Sequence, residues 1–145
     1  EKGNVLIQKR STKKELNPGV WDVSVAGHIE YKEDIKTAAI RETFEETGIH
    51  IKEKDLLKLG IYTSESNHSK IIDREFHHTY ILKIDEVKIN LNYKNDEVDD
   101  LKLISLREMD LLLNQNNRDI FIGKNKNYYK DVFEAILKIT KENYQ

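Results

Sequence analysis

The chain has 145 residues, 38% of them hydrophobic and 34% charged, with six Gly, one Pro and no Cys. A length of 145 suits a single domain spanning 1–145, one that buries roughly two-thirds of the surface of its unfolded form. The uncharged apolar runs fall far short of the ~20 residues that cross a bilayer, so no membrane span is expected, and without Cys there is no disulfide framework, thiolate metal site or thiol nucleophile, which fits a reducing compartment with the cytoplasm as default.

EKGN reads as a turn into the strand-like VLIQKR, a pattern that fits a chain whose first strand lies upstream of Glu1. Val5 to Gln8 is a short strand, KRSTKKELNPG a polar loop ending in a Pro18-Gly19 turn, and WDVSVAG a second extended segment. A helix is predicted to start near Glu33 and Asp34, where carboxylates suit the positive end of the helix dipole, and to stop at Gly48. LLKLGIYTS and EFHHTYILKI read as strands. The second alternates Phe76, His78, Tyr80, Leu82 and Ile84 against Glu75, His77, Thr79 and Ile81, so one of its faces is polar. DLKLISL is a further strand and LREMDLLLN a short helix. In the last helix Tyr129, Val132, Phe133, Ile136, Leu137 and Thr140 form one core-facing stripe. The expected class is α/β.

The helix over 38–49, AAIRETFEETGI, carries the chemistry. Glu42 and Glu46 fall one turn apart on the stripe of Ile35, Ala38 and Ala39, which ought to face inward. Two inward carboxylates at i,i+4 repel unless something positive lies between them. Glu45 alone would pass for a solvated partner of Arg41. Mg²⁺ is usually held by one or two carboxylates while keeping positions for water and phosphate oxygens, so the pair reads as a magnesium cradle, and Mn²⁺ would serve as well.

GHIEYKEDIKTAAIRETFEETGI matches the pattern G-x5-E-x7-R-E-U-x-E-E-x-G-U, U being apolar, at Gly27, Glu33, Arg41, Glu42, Glu45, Glu46, Gly48 and Ile49. One position departs: Thr43 stands where an aliphatic residue is usual. On these residues the chain resembles the Nudix family. The resemblance implies a mixed β-sheet sandwiched between α-helices and a divalent metal presented to a small-molecule diphosphate. It further implies Glu42 and Glu46 as principal metal ligands, Glu45 as an additional one, the carbonyl of Ala26 as a backbone ligand, and Glu33 pairing with Arg41 to hold the helix. The implied reaction is metal-assisted attack of water on a nucleoside diphosphate linked to another group X. In many relatives a further carboxylate reaches the metals from the loop before a late strand, and Glu97 in NDEVDDLKLISL is the candidate for that ligand or for the general base; a solvated acidic loop is the alternative.

QKRSTKKELNPGVWDVSVAGHIEYKE narrows the resemblance to the subgroup that includes the type I isopentenyl-diphosphate isomerases. There His28 matches a metal-binding His and Glu75 an active-site Glu, while their Cys is replaced by Ala26. An isomerase acting on an isoprenoid diphosphate and a non-catalytic diphosphate-binding module are therefore the alternatives to a hydrolase. His77 and His78 are each read as local hydrogen-bonding residues. Lys9, Arg10, Lys13 and Lys14 could hold phosphates, but no interleaved aromatics suggest base stacking, so nucleic-acid binding is not expected. Trp21 reads as a core anchor. A homodimer is compatible with the sequence and nothing requires it.

Overall fold

The computed structural model describes residues 3–68, 70–114 and 126–142. Its strands are β1 (Asn4–Arg10), β2 (Trp21–Val23), β3 (Leu56–His68), β4 (Ile71–Leu82) and β5 (Val98–Ser105). Its helices are α1 (Ile35–Thr47), α2 (Leu106–Asn114) and α3 (Lys126–Glu142). Each predicted element is present.

Two antiparallel sheets form, one in the order β2-β1-β5 and one from the β3-β4 hairpin. The α/β class and the helices on either side of the sheet are as expected, but among the described residues every pairing is antiparallel, where a mixed sheet was expected. The connections explain it: β3 and β4 are consecutive strands with only two residues between them, and α1 leads from one sheet to the other rather than between parallel neighbours. β3 and β4 are also longer than predicted, because Glu65 and Arg74 continue the ladder and pair through their side chains at 2.8 Å.

β1 is buried on both faces, which its run of Leu6, Ile7 and Gln8 anticipates. Ile7 and Ile104 form one core with Met109 of α2 and Tyr129 of α3, against which Trp21, Phe133 and Ile136 pack. Trp21 is thus the anchor it was expected to be. On the opposite face Leu6, Leu101 and Val98 pack with Ile49, just past the end of α1. β2 stops at Val23, short of the predicted WDVSVAG, because the chain turns there toward α1. Ser24 then donates through its hydroxyl to Leu6 O, and its own carbonyl accepts from Gln8 Nε2 at 3.1 Å.

Candidate active site

Both ends of α1 are fixed. Asp34 Oδ2 accepts from the N–H groups of Lys36 and Thr37 at 3.1 and 3.2 Å, capping the N-terminus. Gly48 closes the other end with φ 72°, a left-handed conformation, over the ring of Tyr93. The inward face carries Ala38, Thr43, Glu46 and Thr47. Thr43, the departure from the Nudix pattern, is buried with its hydroxyl donating to Ala39 O at 2.6 Å, so its polar atom is satisfied and its methyl packs as an aliphatic side chain would.

Glu46 is 2% exposed. Its Oε2 accepts from Gln8 Nε2 at 2.6 Å and from the N–H of Ala26 at 2.9 Å. Burial pushes this carboxyl up to about 7, with Glu42 and Glu97 adding repulsion, against the Ala26 and Gln8 donors. Glu42 lies against Gly27, where an added Cβ would come within 2.0 Å of the Glu42 Cδ. Glycine at 27 therefore leaves the space that the carboxylate occupies.

Arg41 ties the surroundings together. Its Nε and Nη2 donate to the two oxygens of Glu33 at 2.8 and 2.9 Å, its Nη1 to Glu42 at 2.7 Å and to Glu45 at 3.0 Å, and its Nη2 also to His28 O at 3.0 Å. The two-pronged bond to Arg41 holds Glu33 down to about 2, and Glu33 in turn raises Arg41. Glu97 reaches the same place from the loop before β5. Its side chain is 51% exposed and accepts from Lys14 Nζ at 2.7 Å. Ala26, Gly27, Glu42, Glu45 and Glu97 line a cleft of about 280 Å³ with Arg10 and Lys14, while Glu46 sits buried behind Ala26.

The donor set suits a hard cation: carboxylate oxygens crowd one place, and the glycine cradle admits one of them. As they stand, no three His, Asp or Glu side chains among the described residues converge to hold an ion; Glu42 and Glu45 are drawn to Arg41 instead. The contact seen at Ala26 is through its N–H, to Glu46.

A second cluster borders the cleft. His28 Nε2 lies 3.2 Å from Glu75 Oε1, and His77 Nε2 lies 3.4 Å from Glu75 Oε2 and 2.8 Å from Ser64 Oγ. His77 thus bonds locally, as expected, and His78 pairs across from Ile61. Lys13 meets Asp96 at 3.6 Å in solvent. Arg10 Nη2 donates to Leu16 O, but its Nε is buried and has no partner among the described residues.

Two positioning side chains escaped the sequence reading. Gln8 holds Glu46, and its only signal is a polar residue closing the apolar run VLIQ. Asn95 donates to Glu45 O and accepts from the N–H groups of Glu97 and Val98 at 2.8 and 2.9 Å, which binds the Glu97 loop to α1. Nothing in its local sequence marks it.

A pH dependence follows from Glu46. A carboxyl raised from 4.5 to about 7 favours the folded state when protonated, so its contribution is complete below pH 4.5 and lost as pH rises toward 7. In EDTA, unfolding free energy should fall over that range by up to about 3 kcal/mol. Asp22, also raised by burial, acts in the same direction; Glu33, held down to about 2, opposes it only near the acid end of the range, where the unfolded chain still binds that proton. Urea titrations at pH 5 and 7 check this, and Glu46→Gln should flatten the Glu46 part of the slope.

A model of the NUDIX domain matches residues 1–122. The chain is 32% identical to an uncharacterised Nudix hydrolase of Clostridium acetobutylicum over 92% of this chain and 76% of that protein. It is 34% identical to an isopentenyl-diphosphate Delta-isomerase of Photorhabdus laumondii over 83% of this chain, and 31% identical to an uncharacterised Nudix hydrolase of Listeria monocytogenes over 77%. It spans less than two-thirds of the latter two, 64% and 62%. With the residues of the Gly27–Ile49 pattern gathered around α1, these matches show that the chain belongs to the Nudix hydrolase family, in a subgroup with relatives named isopentenyl-diphosphate isomerases.

Proposed function

We propose that this chain is a Mg²⁺- or Mn²⁺-dependent hydrolase that cleaves the pyrophosphate bond of a nucleoside diphosphate linked to a group X. The observation that carries the reading is the gathering of Glu42, Glu45 and Glu97 on one cleft, backed by the buried Glu46 and strapped by Arg41. Glu42 and Glu46 would be the principal metal ligands, with Glu45, Glu97 and the Ala26 carbonyl completing the set. A bound divalent cation supplies charge neutralisation at the phosphate oxygens and a more acidic water.

The chain's own residues do the rest. Arg10 and Lys14 put positive charge on the cleft wall, where the diphosphate would lie. Water attacks phosphorus, the anhydride P–O bond breaks, and Glu97, half-exposed on the cleft, takes the water's proton. Glu33 acts through Arg41, fixing the guanidinium that orients Glu42 and Glu45.

A second reading has specific support: the His28–Glu75 contact, and relatives named isopentenyl-diphosphate isomerases, favour an isomerase. Double-bond migration needs an acid and a base on opposite sides of the alkene. Position 26 is Ala and the chain has no Cys, so the thiol expected on one side is missing. Hydrolysis needs no such pair.

A screen with and without Mg²⁺, over nucleotide sugars, dinucleoside polyphosphates, ADP-ribose, coenzyme A and NADH, in which a coupled phosphomonoesterase frees phosphate from the monoester products of cleavage but not from the intact substrates, tests the proposal. Metal-dependent cleavage of at least one is expected. Conversion of isopentenyl diphosphate to dimethylallyl diphosphate, followed by NMR and with no cleavage of any diphosphate, would favour the isomerase.

A further inference from the structure

The cleft adjoins a much larger cavity of about 1210 Å³, the two sharing Arg10, Ala26, Gly27, His28 and Glu42 as walls. A diphosphate in the cleft can therefore direct one of its substituents into the cavity, which exceeds the few hundred to a thousand Å³ of ordinary ligand pockets. Aromatic rings form part of its wall: Tyr128 packs edge-on to Tyr62 at 5.1 Å and to Tyr129 at 5.2 Å, with the His77 ring 6.2 Å away.

Asp22 stands on the same wall, 5% exposed. Its Oδ1 takes both hydrogen bonds that the structure gives it, from the N–H of Val23 at 2.7 Å and the hydroxyl of Tyr129 at 3.0 Å. Among the described residues its Oδ2 accepts no hydrogen bond and the carboxylate forms no ion pair; Arg10 and His77 act on it only through their fields. Desolvation raises this carboxyl, as expected of a buried acid without a salt-bridge partner. A purely structural role does not account for it. Pinning β2 to Tyr129 takes one acceptor oxygen, which Asn or Ser would supply without the cost of desolvating a carboxylate.

We propose that Asp22 is a specificity-determining residue for the substrate's aromatic end: its free Oδ2 accepts a hydrogen bond from an exocyclic amine on a nucleobase lodged among the tyrosines, as on adenine or cytosine. The inference rests on the hydrolase reading for its kinetic consequence and on the cavity alone for binding. A base fits better than an aliphatic amine because the wall offers ring faces and edges, against which a planar heterocycle packs. A site built around a hydrogen bond rejects an analogue lacking the donor, since the acceptor is then buried unpaired.

The test uses matched nucleotides with and without the amine: ADP-ribose against its purine analogue lacking the 6-amino group, and likewise AMP against purine riboside 5′-monophosphate in calorimetric binding. The wild-type protein should favour the amine at least about tenfold in kcat/KM and in Kd. Asp22→Asn keeps an acceptor for Val23 and Tyr129 but turns an N–H toward the amine, so the preference should collapse to within about threefold or invert. A wild-type ratio near one, or an unchanged ratio in Asp22→Asn, overturns the proposal. The wild-type ratios need no variant, so an unstable Asp22→Asn still leaves a decisive result. If no diphosphate is hydrolysed at all, the hydrolase reading fails, and the AMP pair alone decides the role of Asp22.

Discussion

Glu46→Gln is expected to lower Mg²⁺-dependent kcat/KM by at least about 10²-fold while leaving the fold intact. The substitution removes one negative charge from the group read as a principal metal ligand and changes almost nothing else. Glutamine keeps an acceptor oxygen for Gln8 Nε2 and the Ala26 N–H, which hold the native carboxylate at 2.6 and 2.9 Å. At pH 7 the variant should melt no lower than the parent, because it no longer buries an ionising group that burial has pushed up to about 7. Loss of turnover with unchanged or raised Tm separates a metal-binding role from a structural one. Near-normal activity at saturating Mg²⁺ would contradict the metal assignment.

Arg41→Ala should affect both stability and turnover. The guanidinium donates to Glu33, Glu42, Glu45 and His28 O, and its removal leaves three carboxylates facing one another without the charge that gathers them. The side chains of Glu33 and Glu42 are only 12% exposed, so water replaces the lost bonds poorly. A fall in Tm of about 5–10 °C is expected in EDTA, together with a loss of activity of at least about 10²-fold. Millimolar Mg²⁺ should restore part of the Tm, because a cation binding only the folded state stabilises it. Arg41→Lys should fall between, since one ammonium cannot grip both Glu33 oxygens at once. Melting curves by circular dichroism, with and without Mg²⁺, check these outcomes; an unchanged Tm in Arg41→Ala would show that the strap is not structural.

The parts of this protein that were legible in its sequence are those governed by short-range rules. Asp34 and Gly48 mark the ends of α1 because helix caps are local. The inward turn of Glu42 and Glu46 follows from helical periodicity, and Glu33 meets Arg41 because both lie in the same loop-helix unit. What escaped depends on long-range placement. Gln8 reaches Glu46 only because β1 runs beneath α1, and Asn95 reaches Glu45 across fifty residues of chain. The faces of β4 show the limit of alternation: Phe76, on the apolar set, is 74% exposed while Thr79, on the polar set, is buried, the reverse of what polarity alone suggests. The antiparallel pairing of both sheets was likewise unreadable, since it is set by which strands the connections allow to meet.

Incubation of the purified protein with Mg²⁺ and a cleavable diphosphate in H₂¹⁸O tests the assignment most directly. Hydrolysis at the Glu42/Glu45/Glu97 cleft places one ¹⁸O in a phosphate product, at a rate that EDTA abolishes and Glu46→Gln lowers at least about 10²-fold. Product free of ¹⁸O, turnover that persists in EDTA, or isopentenyl diphosphate rearranged with its diphosphate intact while no other diphosphate is cleaved would contradict it.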